Sequence, residues 1–373
     1  MHGRCDVKFA AVQEAFAANF REHGEIGAAV CIAVEGRTVI DIWAGSADAA
    51  RTRDWNEDTI VNVFSVGKAM ASLCVLMLLE EGALELAQPV ARYWPEFAAA
   101  GKEAITVQAL LSHRAGLPAL RRALAPEAIY DWQAMTGALA AEQPWWQPDT
   151  QHGYHVNTFG FLIGELVRRV SGEPIGAFFK RRVAQPLGAD FHFGLPAEHH
   201  GRVAEFTFPE IPDFKGDVGE NMVFSAYFNP PGVSGNGTVN TPAWREAEMP
   251  SGNGHSNARA VARIYSALAA VDGVSLLAAD TLALATTEFS GGHDAVLDRP
   301  SRFGLGFQLT QPERPLGPGQ RSFGHFGAGG SLGFADPDSG VAFGYTTNQG
   351  LGPRWQNPRN RGLVDALYSA LNG

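Results

Sequence analysis

Val63-Phe64-Ser65-Val66-Gly67-Lys68-Ala69-Met70-Ala71-Ser72-Leu73-Cys74-Val75-Leu76-Met77-Leu78-Leu79 sets a serine and a lysine three positions apart, then runs apolar on nearly every face. Such a run belongs at the centre of a core, and Gly82 is its expected stop signal. On a helix, positions i and i+3 share a face about 5–6 Å apart, so the Lys68 amine comes within reach of the Ser65 hydroxyl. A serine hydroxyl is a weak nucleophile and needs a neighbouring base. Lysine can be that base only if its pKa falls well below about 10.4, which burial achieves. Ser65 would also sit by the unpaired N–H groups of the helix start, a favourable place for a developing oxyanion. Ser-x-x-Lys alone is common by chance, and its plain alternative is an N-cap serine with a surface lysine. The rest of the chain has to decide.

Working outward, Phe9, Val12, Phe16 and Phe20 predict an amphipathic helix over 7–23. Two β-type runs follow, 27–34 and 37–44, joined by Glu35-Gly36 as a hairpin turn. Helical segments then alternate with long loops to about residue 285, the clearer helices lying at 158–170 and 258–270. The stretch 196–256 is rich in Gly, Pro and Asn, a length of connection that often forms a lid or wall over a site. Short apolar runs return at 303–309, 331–335 and 341–347, with Asp336-Pro337-Asp338-Ser339-Gly340 turning between the last two, and a helix closes the chain at 359–371. Strands near both ends and a helical middle predict an α+β fold. Residues 1–64 and 286–373 would build one mainly antiparallel sheet flanked by helices, and 65–285 a largely helical domain, with the site in the groove between them.

Composition removes several function classes. The chain has 373 residues, 45% hydrophobic and 18% charged, with a formal net charge of −10. An acidic chain with no basic cluster is ill suited to nucleic acid or to anionic lipid. No apolar stretch reaches the roughly 18–20 residues of a membrane span. The opening Met-His-Gly-Arg-Cys-Asp-Val-Lys lacks the h-region of a signal peptide, so the expectation is a soluble cytoplasmic protein. Cys5, Cys31 and Cys74 show no metal or disulfide spacing, and the latter two lie in apolar runs. The histidines at 152, 155, 192, 199 and 200 show no recognised ligand spacing either, and no metal or organic cofactor is expected.

Two further segments carry chemistry. Tyr154 precedes the helix at 158; facing Ser65 and Lys68, its hydroxyl could relay a proton, with the lysine charge lowering the phenol's pKa. Gly324-His325-Phe326-Gly327-Ala328-Gly329-Gly330-Ser331 is dense enough in glycine for a strand edge to approach a ligand and offer backbone N–H donors. Gly329-Gly330-Ser331-Leu332-Gly333 also matches G-x-S-x-G, but a strand and turn follow it rather than a helix, and only about forty residues remain for an acid and a histidine. Ser331 is therefore read as structural. Trp145-Trp146, Trp244 and Trp355 lie in loops that could wall an acyl pocket or simply pack.

Ser65-x-x-Lys68, Tyr154 and His325-x-Gly327, in that order, resemble the class C β-lactamase and penicillin-recognising superfamily, and most nearly its family VIII carboxylesterases. Leu110-Leu111-Ser112-His113-Arg114-Ala115-Gly116-Leu117-Pro118 and Ser251-Gly252-Asn253-Gly254 look like the same family. The resemblance implies Ser65 as nucleophile, Lys68 as base and Tyr154 as proton relay. It implies an oxyanion hole from the N–H groups of Ser65 and Ala328, with His325, Phe326 and Gly327 lining the pocket. Two departures matter. The Tyr-x-Asn of such lactamases is Tyr154-His155-Val156 here, so Val156 stands where an asparagine would hold a substrate amide. Their Lys-Thr-Gly is His325-Phe326-Gly327, without the permanent cation and hydroxyl. Both changes favour a small neutral ester as the partner molecule over a β-lactam. The rival readings are a β-lactamase, an amide or D-amino-peptide hydrolase, an acyltransferase, or a non-enzymatic sensor or scaffold.

Overall fold

A computed structural model describes residues 1–209, 215–270, 273–350 and 357–373. Its organising feature is a nine-stranded sheet in which every pairing is antiparallel. The strands are β1 (His2–Cys5), β2 (Gly27–Val34), β3 (Arg37–Gly45), β4 (Ser290–Asp294), β5 (Arg299–Phe303), β6 (Gln308–Leu309), β7 (Phe323–Phe326), β8 (Leu332–Asp336) and β9 (Val341–Thr347). Their spatial order is β1-β3-β2-β9-β8-β7-β6-β5-β4. The two ends of the chain meet in the middle of this sheet, where Gly27–Val34 pairs along its length with Val341–Thr347.

The β2–β3 hairpin turns at Glu35 (φ 48°) and Gly36 (φ 75°). Two successive positive φ values suit a turn whose twist matches that of the flanking strands. β2 is apolar at nearly every position because both faces are covered, not one. On one face Val30, Ile32, Ile40 and Ile42 pack with Val12 and Phe16 of α1 (Ala10–Glu22) and with Leu363 and Leu367 of the C-terminal helix, Pro358–Asn372. On the other lies the helix Ala258–Leu268, which packs against β2, β8 and β9. Gly344 permits that approach, since a Cβ there would stand 2.2 Å from the Ala258 carbonyl oxygen.

The helix expected from residue 65 is α2 (Val66–Glu80), and everything from Val66 to Leu78 is buried. It packs on the helix Thr158–Ser171 and on β7, joining the helical part to the sheet. A small three-stranded sheet of Val61–Asn62, Phe191–His192 and His255–Ser256 fixes the approach to it, and Val63 N–H donates to the Gly254 carbonyl at 2.8 Å.

Several details differ from the sequence reading. The run 303–309 is not one strand: β5 ends at Phe303 and β6 begins at Gln308, with Gly304 N–H bonding the Phe307 carbonyl across a turn. β1 and β4 were not expected, since His2–Cys5 and Ser290–Asp294 lack an apolar alternation. The long stretch 196–256 contains short helices at Met222–Phe228 and Pro242–Glu246, and Trp244 there is fully buried. Trp355 lies outside the described residues. Among them, no helix is long and apolar enough to cross a membrane.

Candidate active site

Ser65 occupies the N-cap position of α2, yet its side chain caps nothing. Its Oγ faces the Lys68 Nζ at 3.0 Å. The residue before it, Phe64, is held at φ 49° by packing against Phe206 and Phe208. A bulky residue in that region is strained, and such strain persists only where the surroundings enforce it. Lys68 has no exposed surface. Its other neighbour is the Ser251 carbonyl oxygen at 3.1 Å, and burial holds the amine well below the usual lysine range. A neutral amine can donate to Ser251 and still turn a lone pair on Ser65. Ser251 is itself fixed by Gly160 N–H, which donates to its Oγ at 2.6 Å, so the Ser251-Gly252-Asn253-Gly254 phrase supplies the lysine's acceptor.

Tyr154 is buried beside this pair, with Lys68 Nζ 4.8 Å from its ring centre and with Ser65 close enough to act on its phenol. Three successive N–H groups tie its backbone down. Gly153 donates to the His113 carbonyl, Tyr154 to Asp294, and His155 to His113 Nδ1. Asp294 is fully buried and also accepts from Val296 N–H, Leu297 N–H and the Ser301 hydroxyl. The ring lies parallel to Phe303 at 5.7 Å. Burial pushes the phenol up rather than down. The expectation of a lowered phenol pKa is therefore corrected: desolvation of the buried tyrosine is the largest influence on it.

His325 is fully buried, 6.0 Å from the Tyr154 ring. Its Nδ1–H donates to the Phe326 carbonyl, which leaves Nε2 as an unpartnered acceptor. Burial above all holds the imidazole well below its usual range, so it is a neutral ring. His155 is neutral too, pushed down to about 4, with Nδ1–H on the Gly153 carbonyl and Nε2 accepting from Leu117 N–H. Val156, like Trp145 and Trp146, packs against the cluster of Ala119, Ala226 and Val296.

The end of β7 reaches the helix start through Gly327, where a Cβ would stand 2.5 Å from the Val63 carbonyl oxygen. Ala328 follows it. Among the described residues neither the Ser65 nor the Ala328 N–H meets an acceptor. Ser331 is buried on the strand side with its hydroxyl unpaired. A cavity of about 630 Å³ elsewhere, lined by Trp43, Asn56, Arg259 and Arg263 among others, contains none of these residues. Its Arg259 is already paired with Asp41 and Glu57.

The structure thus brings Ser65, Lys68, Tyr154, His325 and the 326–328 edge together. Sequence reasoning missed Asp294, the anchor of Tyr154, and the roles of His113 and Ser251 as supports. Asp294 lies 140 residues from Tyr154 and stands in no motif.

Residues 12–367 match the Beta-lactamase family. The Esterase/beta-lactamase LipL of Mycobacterium tuberculosis is 34% identical over 372 residues, covering 94% of this chain and 83% of that protein. The crystal structure of a family VIII carboxylesterase superposes with a TM-score of 0.91 at 39% identity, over 99% of both chains. A penicillin-binding protein homologue from Caulobacter crescentus superposes with a TM-score of 0.90, also at 39% identity and over 99% of both chains. A family match of that extent, on a chain with this fold, means that the protein belongs to the Beta-lactamase family and is a serine hydrolase.

Proposed function

We propose that the protein is a carboxylesterase that cleaves short-chain acyl esters through an acyl-enzyme on Ser65. The observation that carries this reading is the Lys68 amine, buried with no carboxylate partner among the described residues and 3.0 Å from Ser65 Oγ. The neutral amine takes the Ser65 proton as Oγ attacks the ester carbonyl. The Ser65 and Ala328 N–H groups receive the oxyanion, a stabilisation worth roughly 10²–10³ in rate per donor. Tyr154, kept protonated by burial and lying beside Lys68, passes a proton from the lysinium to the departing alkoxide. Water then enters, the same base takes its proton, and the acid is released.

Two features favour an ester over a β-lactam. Val156 offers no amide, and His325 is a neutral ring rather than a fixed cation. The likeness to a family VIII carboxylesterase supports the same choice. The test is p-nitrophenyl butyrate hydrolysis by wild type and Ser65→Ala, with nitrocefin alongside. Ester turnover that disappears in the variant, with little nitrocefin cleavage by wild type, is the expected result. Full activity in Ser65→Ala would defeat the mechanism, and fast nitrocefin turnover would move the substrate class to β-lactams.

A further inference from the structure

Beside the site lies a small recess that the esterase reading leaves unused. It measures about 20 Å³ and is lined by Arg299, Gln308, Arg314 and Phe326 among others. That is room for an oxygen or so, not for a whole substrate. The Arg314 guanidinium lies flat against the Phe326 ring, 3.6 Å from its centre. Its Nε is shut off from solvent and finds no acceptor. No carboxylate pairs with Arg314 among the described residues. Its neighbour Arg302, by contrast, is held by Glu288 and by the Thr310 carbonyl. Asp294, the buried carboxylate of this region, is already committed to three N–H groups and a hydroxyl.

A partly desolvated cation without a counter-charge is costly, and a guanidinium answers best to a carboxylate, which accepts its planar fork in two parallel bonds. Burial and Arg299 already press Arg314 down to about 9. The recess it lines is also lined by Phe303, whose ring stacks on Tyr154 at 5.7 Å, so the cation stands on the Tyr154 side of the nucleophile. Tyr154 is the group that hands a proton to the leaving alcohol under the esterase reading, and that makes this the leaving-group side.

We propose that Arg314, flanked by Arg299, selects substrates carrying a carboxylate on the alcohol half, so that the preferred substrates are acyl esters of hydroxy acids. The proposal rests on the esterase reading and specifies its substrate class. The reaction consumes one water: the acyl C–O bond to the hydroxy acid breaks, the acyl group passes to Ser65 Oγ and then to water, and the hydroxy acid leaves with the proton carried by Tyr154. The departures at Val156 and His325 then mark a relocated anion contact, not its loss. The chain's net charge of −10 gives no long-range attraction for an acidic substrate, so the selection is made at this contact.

The test uses a matched pair, 3-(butyryloxy)benzoate and its methyl ester, which share the acyl group, the ring and the bond cleaved. Wild type is expected to favour the acid by ~30-fold or more in kcat/KM, chiefly through KM. Arg314→Met is expected to cut that preference by ~30-fold or more, the loss typical of removing one partner of a desolvated charge pair. Arg314→Lys should restore part of it, and serves as the second variant should the methionine protein fail to fold. The same acid-to-methyl-ester ratio in wild type and Arg314→Met overturns the proposal. Calorimetric titration of 3-hydroxybenzoate needs no turnover: binding to wild type that is lost in Arg314→Met supports the anion contact, and equal or absent binding overturns it. Failure of wild type to cleave either ester would defeat the esterase reading separately.

Discussion

Replacing Lys68 with methionine removes an amine that the fold buries completely and keeps most of the side chain's volume. The folded chain holds this amine well below the ordinary lysine range through burial alone. Between that lowered value and the ~10.4 of an unfolded lysine, the unfolded chain binds a proton that the folded chain lacks. Wild-type stability therefore rises with pH across the window, by ~1.4 kcal/mol for each unit in which the two states differ by a full proton. The methionine variant has no such dependence. Its advantage in stability over wild type should be largest at the acid end of the window, shrink by ~1.4 kcal/mol per unit as pH climbs, and level off above ~10.4. Urea unfolding of both proteins at pH 7, 8 and 9, followed by circular dichroism, measures this directly. Ester turnover should fall by roughly 10²–10⁴ in the same variant, the range for a lost general base. A stability gap that stays constant with pH would mean that Lys68 keeps its proton in the fold, and a lysinium cannot deprotonate Ser65.

Two other substitutions test the frame of the site. Asp294→Ala strands three N–H groups and a hydroxyl in a buried position, so thermal unfolding should show a loss of ~3 kcal/mol or more, with turnover falling as Tyr154 loses its anchor. An unchanged midpoint would remove Asp294 from the support of the site. Gly327→Val places a Cβ 2.5 Å from the Val63 carbonyl oxygen. Separation of β7 from the helix start should then abolish ester turnover, and activity close to wild type would argue against the Ala328 N–H as an oxyanion donor.

How much of this could be read from the chain varies with the kind of interaction. Residues 27–34 and 341–347 were legible as strands because burial on both faces writes an unbroken apolar run. β1 and β4 were not, because an edge strand of polar and glycine residues carries no such pattern. The proximity of Ser65 and Lys68 follows from helical geometry, a local property. Asp294 and Arg314 reach the Tyr154 side by pairings across the whole fold, and no spacing in the sequence marks them. The sign of the Tyr154 shift was misjudged for a related reason. A lysine three residues from a serine is visible in sequence, whereas the depth at which the tyrosine is buried is not.

The seam between β2 and β9 also governs how the chain can reach its fold. Gly27 N–H donates to the Asn348 side chain, a contact spanning 321 residues. During synthesis β2 must wait for nearly the whole remaining chain before its central partner leaves the ribosome. Throughout that interval its apolar faces, and the all-round apolar α2, have no finished sheet to cover them. Contacts so distant close slowly and leave intermediates open to association. Holdase chaperones should therefore raise the yield of this protein more than they would for one whose sheet is built in chain order.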